Sequence, residues 1–453
     1  MKFALSQIFV ISFDNIVIAS YTSGVASYYD MLSQNALGNF RTLLEQVTLH
    51  PMMGIYLTFL ANVPANAATG QHPDENYARE VMQLMTIGLY RLNQDGSVQT
   101  DGSGTPISTY SHADIAGLSA VFTGFSWYSA NPIAAGGRQT FFPPTTMGLS
   151  HDPAAPITPM IPYPIYHQTT AKSFLGVTIP ASASPDSRGD LKVALDTLFN
   201  HANVGPFIGR QLIQRLVTSN PSPAYVFRVA GVFNDDGMGV RGNLGAVVRA
   251  ILTDPEARDD TVATSGTFGK LREPVIRLAN WARGFKAASR SGAWIISSTS
   301  APPVLQQTVM TAPSVFNFWT PFYSPPGTAL NDQGLVAPEF QAVNEVSVAG
   351  YLNTMLSVIK SGYGSPPAGS STTDVQADYS AEIALAANPS DLVTRLNLLL
   401  MSGQMSTWLQ TTIVGAVNSI ALPSGAAGPA ALKQRAELAI YMTFASLEYL
   451  TQR

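Results

Sequence analysis

Apolar residues recur three and four positions apart along most of this chain, and this spacing restricts it to a fold built from helices. In the segment 34–49, for example, Leu37, Phe40, Leu44 and Val47 fall on one side of a predicted helix, which Pro51 ends. The same pattern predicts further helices at 75–87, 111–123, 191–200, 206–217, 223–233, 242–253, 273–286, 341–359, 389–401, 406–417 and 429–448.

Two long segments between these helices lack any period. Residues 129–185 are rich in proline, and residues 289–337 are irregular and rich in aromatics. A pair of Asp-Gly turns predicts a small hairpin at 92–110, and the Gly/Ser/Pro stretch 361–373 is typical of a flexible linker. The sequence therefore predicts a mainly α, multi-helical globular fold with long irregular Pro/Gly-rich loops and a small β-hairpin.

The length of 453 residues leaves room for two or three domains. We expect a helical core region at 1–285, an irregular aromatic-rich segment at 286–340 and a C-terminal helical region at 341–453. The short connections between the helices imply mostly antiparallel neighbours, and we expect the regions to form one cooperative unit.

Charge and cysteine content exclude several classes of function. The 25 Lys and Arg residues are dispersed along the chain, whereas nucleic-acid binding requires a clustered basic surface, so we expect no nucleic-acid partner. The absence of cysteine excludes disulfides, thiolate zinc sites and cysteine-ligated iron–sulfur clusters.

The most apolar segment, at 3–29, is interrupted by Gln7, Asp14 and Asn15, so it does not predict a membrane span. It also lacks a clear signal-peptide cleavage site. We therefore expect a buried amphipathic helix here.

Sequence motifs of the common enzyme classes are absent. There is no G-x-S-x-G elbow, H-E-x-x-H, P-loop or G-x-G-x-x-G before a helix. The Asp and Asn residues of 93–104 lack the glycine and the final acid of a calcium-binding loop, which favours simple turns. Whether the chain is an enzyme is thus left open, and no cofactor can be assigned.

The densest polar cluster lies at 72–80. Glu75 and Arg79 are four residues apart and can pair, and Glu80 lies on a face beside apolar side chains. Desolvation could raise the pKa of Glu80 and make it a general acid or base. The alternative is that Glu80 and Arg79 anchor the backbone of neighbouring irregular segments.

Histidines offer a second set of candidates. His50, His72 and His167, together with Glu80, would suit zinc or another divalent ion, although no two of them stand three or four residues apart. The same histidines could assist Glu80 in catalysis. For His50 we also expect a structural role, because an imidazole at this helix end could satisfy its last carbonyls.

An aromatic run at 313–323 has two interpretations. Its rings could form a stacking surface for sugars, but the spacing of Phe316 and Trp319 favours packing in a core.

With these motifs in view, the chain resembles the bacterial domain-of-unknown-function family 1800. The resemblance is carried by His-Pro-Met-Met-Gly at 50–54, by Ala-Pro-Ser-Val-Phe-Asn-Phe at 312–318 and by Pro-Glu-Phe-Gln at 338–341. Further matching segments are 3–12, 72–88, 122–125, 172–176, 210–215, 247–252 and 446–449, so that the likeness spans the whole chain. Many relatives carry a histidine at Met85 and a proline at Leu447, and the first departure weakens a metal or proton-transfer role for the polar helix.

The resemblance implies an exported protein, periplasmic or extracellular, with further helices before the segment 3–12 in most relatives. Their loss would expose apolar faces near 4–18. It also implies a sulfatase-like or phosphatase-like exported partner encoded nearby. We expect a structural or binding partner in an extracytoplasmic assembly. The alternative is an exported hydrolase acting on a polymer, with or without a metal, in which His50, His72 or His167 assists Glu80.

Overall fold

Helices account for most of the regular structure in the computed structural model, which describes residues 1–130, 141–142, 152–425 and 428–453. The mainly α fold predicted from the spacing of apolar residues is confirmed. By its contacts the chain divides into two compact units, unit 1 (residues 1–268 and 310–317) and unit 2 (residues 269–309 and 318–453). The division at 268 differs from the boundary expected at 285. Whether the units unfold cooperatively stays a prediction.

Unit 1 is a set of short and medium helices. They are α1 (Lys2–Ser6), α2 (Thr22–Gln34), α3 (Phe40–Leu49), α4 (Pro51–Tyr56), α5 (Asn76–Gln83), α6 (His112–Val121), α7 (Ser187–Asn200), α8 (Val204–Leu216), α9 (Pro223–Asn234), α10 (Leu244–Thr253), α11 (Pro255–Arg258) and α12 (Asp260–Ala263). Single 3-10 turns occur at Ile18–Ser20, Ala155–Ile157 and Pro164–Tyr166.

Unit 2 is built around longer helices. They are α13 (Pro274–Gly284), α14 (Ala329–Asp332), α15 (Glu345–Ser361), α16 (Ser380–Leu385), α17 (Pro389–Met401), α18 (Thr407–Asn418), α19 (Gly428–Ala445) and α20 (Leu447–Leu450), with a 3-10 helix at Pro338–Ala342.

The described strands are short and form two-stranded antiparallel sheets. They are β1 (Phe125–Ser126) with β2 (Ile161–Pro162), β3 (Lys172–Phe174) with β4 (Val177–Ile179), β5 (Lys270–Leu271) with β8 (Thr451–Gln452), and β6 (Ala288–Ser289) with β7 (Val375–Gln376). In the last pair Ala288 lies opposite Gln376, and Ser289 lies opposite Val375. These short strand pairs connect the irregular segments to one another locally.

Aromatic packing fixes the centre of unit 1. Phe59 stacks on Tyr77 of α5 with 4.1 Å between ring centroids, and Phe122 meets Tyr77 edge-on at 4.8 Å. The Tyr77 hydroxyl lies 2.6 Å from the Thr48 hydroxyl of α3, so this buried ring also satisfies its polar end.

Helix α6 and strand β3 approach each other unusually closely. A Cβ atom on Gly117 of α6 would lie only 1.7 Å from the carbonyl oxygen of Ser173, so only glycine fits there. Asp114 of α6 accepts a hydrogen bond from the Leu175 N–H at 2.7 Å. The β3–β4 hairpin is thus fixed to α6 by backbone proximity and by one carboxylate.

Unit 2 has its own aromatic core. Trp281 of α13 donates from Nε1 to the Tyr379 hydroxyl at 2.7 Å, and the Tyr351 hydroxyl of α15 donates to the carbonyl of Phe444 at 2.9 Å. All four side chains are buried. These two hydrogen bonds therefore pair the buried Trp281 N–H and Tyr351 O–H donors and connect α13 and α15 to the rest of the core.

Two helix predictions were wrong. The segment 3–29 forms no single helix, but α1, a 3-10 turn at Ile18–Ser20 and the first half of α2. Asn15 Oδ1 accepts hydrogen bonds from the N–H groups of Val17 and Ile18 and holds a local turn between them. Most apolar residues of 4–18 are nevertheless buried, and Ile16 and Val17 are the exposed large ones.

The helix predicted at 34–49 is broken. Helix α2 ends at Gln34, and Asn39 caps the start of α3 by accepting from the Arg41 N–H at 2.9 Å. Leu37 lies in the break and is exposed.

The predicted hairpin is confirmed. Tyr90 pairs with Ser108, Leu92 with Val98, and the Asp-Gly turns are closed by the carboxylates of Asp95 and Asp101. Residues 131–140 and 143–151 of the long loop predicted at 129–185 lie outside the described residues. No helix in the described part of the chain is both long enough and apolar enough to cross a membrane.

Candidate functional site

The polar helix predicted at 75–87 is α5, and its outer face carries a small charge network. Glu75 Oε2 lies 3.2 Å from Arg79 and 3.5 Å from His112 of α6. The predicted pairing of Glu75 with Arg79 is thus present. Because these groups are largely exposed, such a pair stabilises the helix by only about 0.3–0.5 kcal/mol.

Glu80 points the other way and is buried. Its Oε2 atom accepts no hydrogen bond from any described residue. Burial raises the pKa of Glu80, and the positive charge of Arg79 only partly opposes this. Burial also raises the pKa of the nearby Tyr56 to about 12, with a further contribution from the charges of Asp14 and Glu80. The pKa of Glu80 is therefore shifted in the direction that a general acid requires.

His50 caps the start of α4, a short helix that the sequence analysis did not predict. Its Nδ1 accepts from the Met52 N–H at 3.3 Å, so the ring begins α4 instead of satisfying the last carbonyls of α3. The ring meets Tyr28 edge-on at 5.0 Å, and burial lowers the pKa of His50 to about 4. The imidazole is therefore neutral at pH 7.

His167 is buried, and protein groups occupy both of its ring nitrogens. Nδ1 lies 2.7 Å from the carbonyl oxygen of Thr123, and Nε2 lies 3.0 Å from Oδ2 of Asp190 on α7. Lys172 of β3 reaches the same carboxylate oxygen at 2.8 Å. These bonds hold the end of the long loop against α7 and β3, which is a structural role.

His72 is exposed. Among residues 1–130, 141–142, 152–425 and 428–453, no group of three or more His, Asp or Glu side chains is arranged to hold a metal ion. The set of His50, His72, His167 and Glu80 as metal ligands stays a prediction.

A buried charge cluster in unit 2 was missed by sequence reasoning. Lys270 Nζ lies 2.9 Å from Glu339 Oε1, with both side chains at most 2% exposed, although the contact lacks the alignment of a hydrogen bond. Glu273 accepts from Gln307 at 2.5 Å and from the indole of Trp319 at 3.1 Å. Trp319 therefore packs in the core, as the aromatic run suggested.

The two carboxylates of this cluster are thus satisfied differently, Glu339 by the ammonium group of Lys270 and Glu273 by neutral donors. Burial raises the pKa of Glu339, the charge of Lys270 opposes this, and the charge of Glu273 adds to it. The matching segments at 312–318 and 338–341 could have indicated the cluster, since one adjoins Trp319 and the other contains Glu339.

Substitutions in this cluster should have unequal effects. Lys270→Met leaves the buried Glu339 carboxylate without its cation and should lower the free energy of unfolding at pH 7 by about 3–5 kcal/mol. Glu339→Gln removes a group whose folded pKa is raised, and whose contribution to stability is therefore greatest at low pH and declines as pH rises through that pKa. Urea unfolding should show the stability of Glu339→Gln, relative to the parent, improving from pH 4 towards pH 7. A constant difference would contradict this account.

Two loop segments of unit 2, 289–297 and 361–375, form an exposed apolar surface that we call the loop platform. Trp294, Ile295 and Ile296 stand at its surface, 49%, 39% and 49% exposed. The stretch 361–373, interpreted from sequence as a flexible linker, is bonded to them. The Ser365 N–H donates to the Ile295 carbonyl at 2.9 Å, and at Gly364 a Cβ would lie 2.3 Å from the same oxygen.

A single carboxylate braces this surface. Asp374 Oδ1 accepts from the Ser291 N–H at 2.7 Å, and Oδ2 accepts from the Ile295 N–H and the Ser289 hydroxyl, each at 2.8 Å. Burial alone would raise the pKa of Asp374, but these hydrogen bonds outweigh it and lower the pKa to about 2. The brace therefore stays ionised at any pH above about 3.

The backbone of the platform is strained at its tip. Trp294 has φ +51°, a left-handed conformation that bulky side chains rarely adopt. Because its ring is half exposed, burial in a core does not compensate for the strain. Strain retained at an exposed aromatic residue is typical of functional positions.

Removing the brace should loosen the platform selectively. In Asp374→Asn the Ile295 and Ser291 N–H groups lose a charged acceptor, so tryptic cleavage after the exposed Arg290 should become faster. Mass spectrometry of the fragments over time would show this, with cleavage after the exposed Arg258 of unit 1 as the internal control. Equal acceleration at both sites would mean general destabilisation, and no change after Arg290 would refute the bracing role. Because the pKa of Asp374 in the folded protein lies near 2, brief exposure of the parent to pH 3 should leave cleavage after Arg290 slow.

Comparison with known proteins places the chain in a family. No curated protein and no solved structure matches it. A family model described as "Protein of unknown function (DUF1800)" matches residues 1–451, which agrees with the resemblance carried by 50–54, 312–318 and 338–341. Since the match covers nearly every residue, the chain belongs to the DUF1800 family of proteins of unknown function.

Proposed function

We propose that this protein is a non-catalytic binding component of an extracytoplasmic assembly, and that the loop platform is its contact surface. The observation that carries the proposal is the Trp294–Ile296 tip, where three consecutive large apolar side chains stand exposed on a strained backbone.

Preorganisation supports a binding role. An exposed loop usually loses conformational freedom on binding, which weakens the complex. Here the carboxylate of Asp374 and the bond from Ser365 to Ile295 already hold the tip in place. Tryptophan is also the residue most often dominant in binding energy when it becomes buried at an interface.

Single-cysteine labelling tests this directly, because the natural chain has no cysteine. Ile295→Cys places a thiol in the platform, and Trp408→Cys places one on α18 at a position that is 73% exposed. In the purified protein both thiols should react with a small membrane-impermeant maleimide. In intact cells that produce the protein from its native gene, the thiol at 408 should react and the thiol at 295 should be protected.

Two outcomes would contradict the proposal. Equal labelling of the two positions in cells would mean that nothing covers the platform. Labelling of neither position before cell lysis, with both reactive afterwards, would place the protein where the reagent cannot reach and would refute the extracytoplasmic location. The identity of the partner, including a sulfatase-like or phosphatase-like protein, stays a prediction.

A hydrolase acting on a polymer is the second candidate, and Glu80 specifically favours it. Burial raises the pKa of the Glu80 carboxyl group, which lies near Tyr56 and Tyr110, and an upward pKa shift is the direction that a general acid requires. His50 is neutral and could accept a proton, whereas the nitrogens of His167 are already bonded.

Glu80→Gln separates the two candidates. Because Oε2 has no hydrogen-bond partner among the described residues, the substitution should change the free energy of unfolding by less than about 1 kcal/mol. For a binding protein, maleimide protection at 295 should also be unchanged. Polysaccharide and peptide hydrolysis by the parent that disappears in the stable variant would instead establish the hydrolase. A loss of about 1–3 kcal/mol would make Glu80 a structural anchor.

A further inference from the structure

We propose that the loop platform binds the surface of an anionic lipid bilayer, with Trp294, Ile295 and Ile296 entering the headgroup region. This inference rests on the proposed function and names its partner. It is carried by charge, by the small size of the apolar tip, and by the rigidity of the loop.

The charged residues within the loop platform and next to it along the chain are mostly basic. Lys286, Arg290 and Lys360 are exposed at or beside the platform, and the segments 286–300 and 360–373 contain no Asp or Glu. The next acids along the chain are Asp374, whose buried carboxylate is occupied by the brace, and the exposed Asp378, whose charge Lys286 opposes. The exposed charge that the two platform segments themselves carry is therefore positive, which complements an anionic membrane surface.

The exposed apolar surface at the tip is small, since three side chains form it. A stable interface with another protein covers about 800 Å² on each side, which three side chains cannot supply. A bilayer needs no matching pocket, and tryptophan prefers the boundary between headgroups and acyl chains. The flanking Ser365, Pro366 and Ser371 are exposed, and their small side chains allow the membrane to approach closely.

Rigidity makes shallow insertion favourable. Because the tip is already held by Asp374 and by the strained turn at Trp294, little conformational freedom is lost when it enters the headgroup layer. Each cation near an anionic surface contributes about 1 kcal/mol, or about a five-fold change in affinity. Binding should accordingly be weak, reversible and sensitive to salt.

Vesicle flotation with the purified full chain tests the inference. The parent should float with vesicles of phosphatidylcholine and phosphatidylglycerol at low ionic strength, much less with phosphatidylcholine alone, and not at about 0.5 M salt. Trp294→Ser combined with Ile296→Ser, and separately Arg290→Glu, should each weaken binding about ten-fold or more.

Matched controls exclude effects of general surface chemistry. Trp408→Ser removes an equally prominent exposed aromatic, and Arg258→Glu reverses an exposed charge in unit 1, so both should bind like the parent. An environment-sensitive dye on Ile296→Cys should shift to the blue with anionic vesicles only, which shows insertion in a folded protein.

No flotation of the parent at low salt, or equal flotation of the platform variants and the parent, would overturn the lipid inference. If the thiol at 295 is nevertheless protected in cells, the proposed function stands and the partner is a protein. If the thiol at 295 is not protected and vesicles do not bind, both proposals fail.

Discussion

Buried carboxylates hold the long irregular segments of this chain in place, and the fold depends on them. Backbone outside helices and sheets lacks regular hydrogen-bond partners, so its buried polar groups need side-chain acceptors or donors. Asp190 joins the His167 loop to β3 in unit 1. In unit 2, Glu273 accepts hydrogen bonds from Gln307 and Trp319. Asp374 accepts hydrogen bonds from Ser289, Ser291 and Ile295. A chain with only 12% charged residues thus uses several of its acids inside the protein, where each organises a loop.

The catalytic and the binding interpretation therefore rest on two different acids, Glu80 in unit 1 and Asp374 in unit 2. The pKa of Glu80 is raised, as in a catalytic acid. Within the described part of the chain, however, its Oε2 atom accepts no hydrogen bond, and no group of acids and histidines is arranged as metal ligands. Asp374 has the opposite property, because its hydrogen bonds keep it ionised and rigid. Because backbone N–H groups keep its pKa low, Asp374 is suited to holding a loop conformation and not to proton transfer. The conformation that it holds here is the exposed apolar tip.

Local sequence determined how much could be predicted. Helix α17 was predicted at its observed bounds, since Pro389 begins it and the apolar stripe of Leu392, Leu396 and Leu400 continues to its end. The break between α2 and α3 was missed because Asn39 competes locally as a cap, which the apolar spacing conceals. The loop platform was beyond prediction. Its brace joins Asp374 to the N–H of Ile295 across 79 residues, and the Gly/Ser/Pro composition of 361–373 is equally typical of a free linker.

The central claim is that the exposed Trp294–Ile296 tip is preformed and rigid in the free protein. Hydrogen exchange at individual amides of the purified chain tests it most directly, because the Ser291 and Ile295 N–H groups donate to a buried carboxylate although they lie in a surface loop. The account predicts that these two amides exchange far more slowly than the neighbouring exposed Gly292 amide. Exchange of all three at the same fast rate would contradict it, since the tip would then be an ordinary mobile loop.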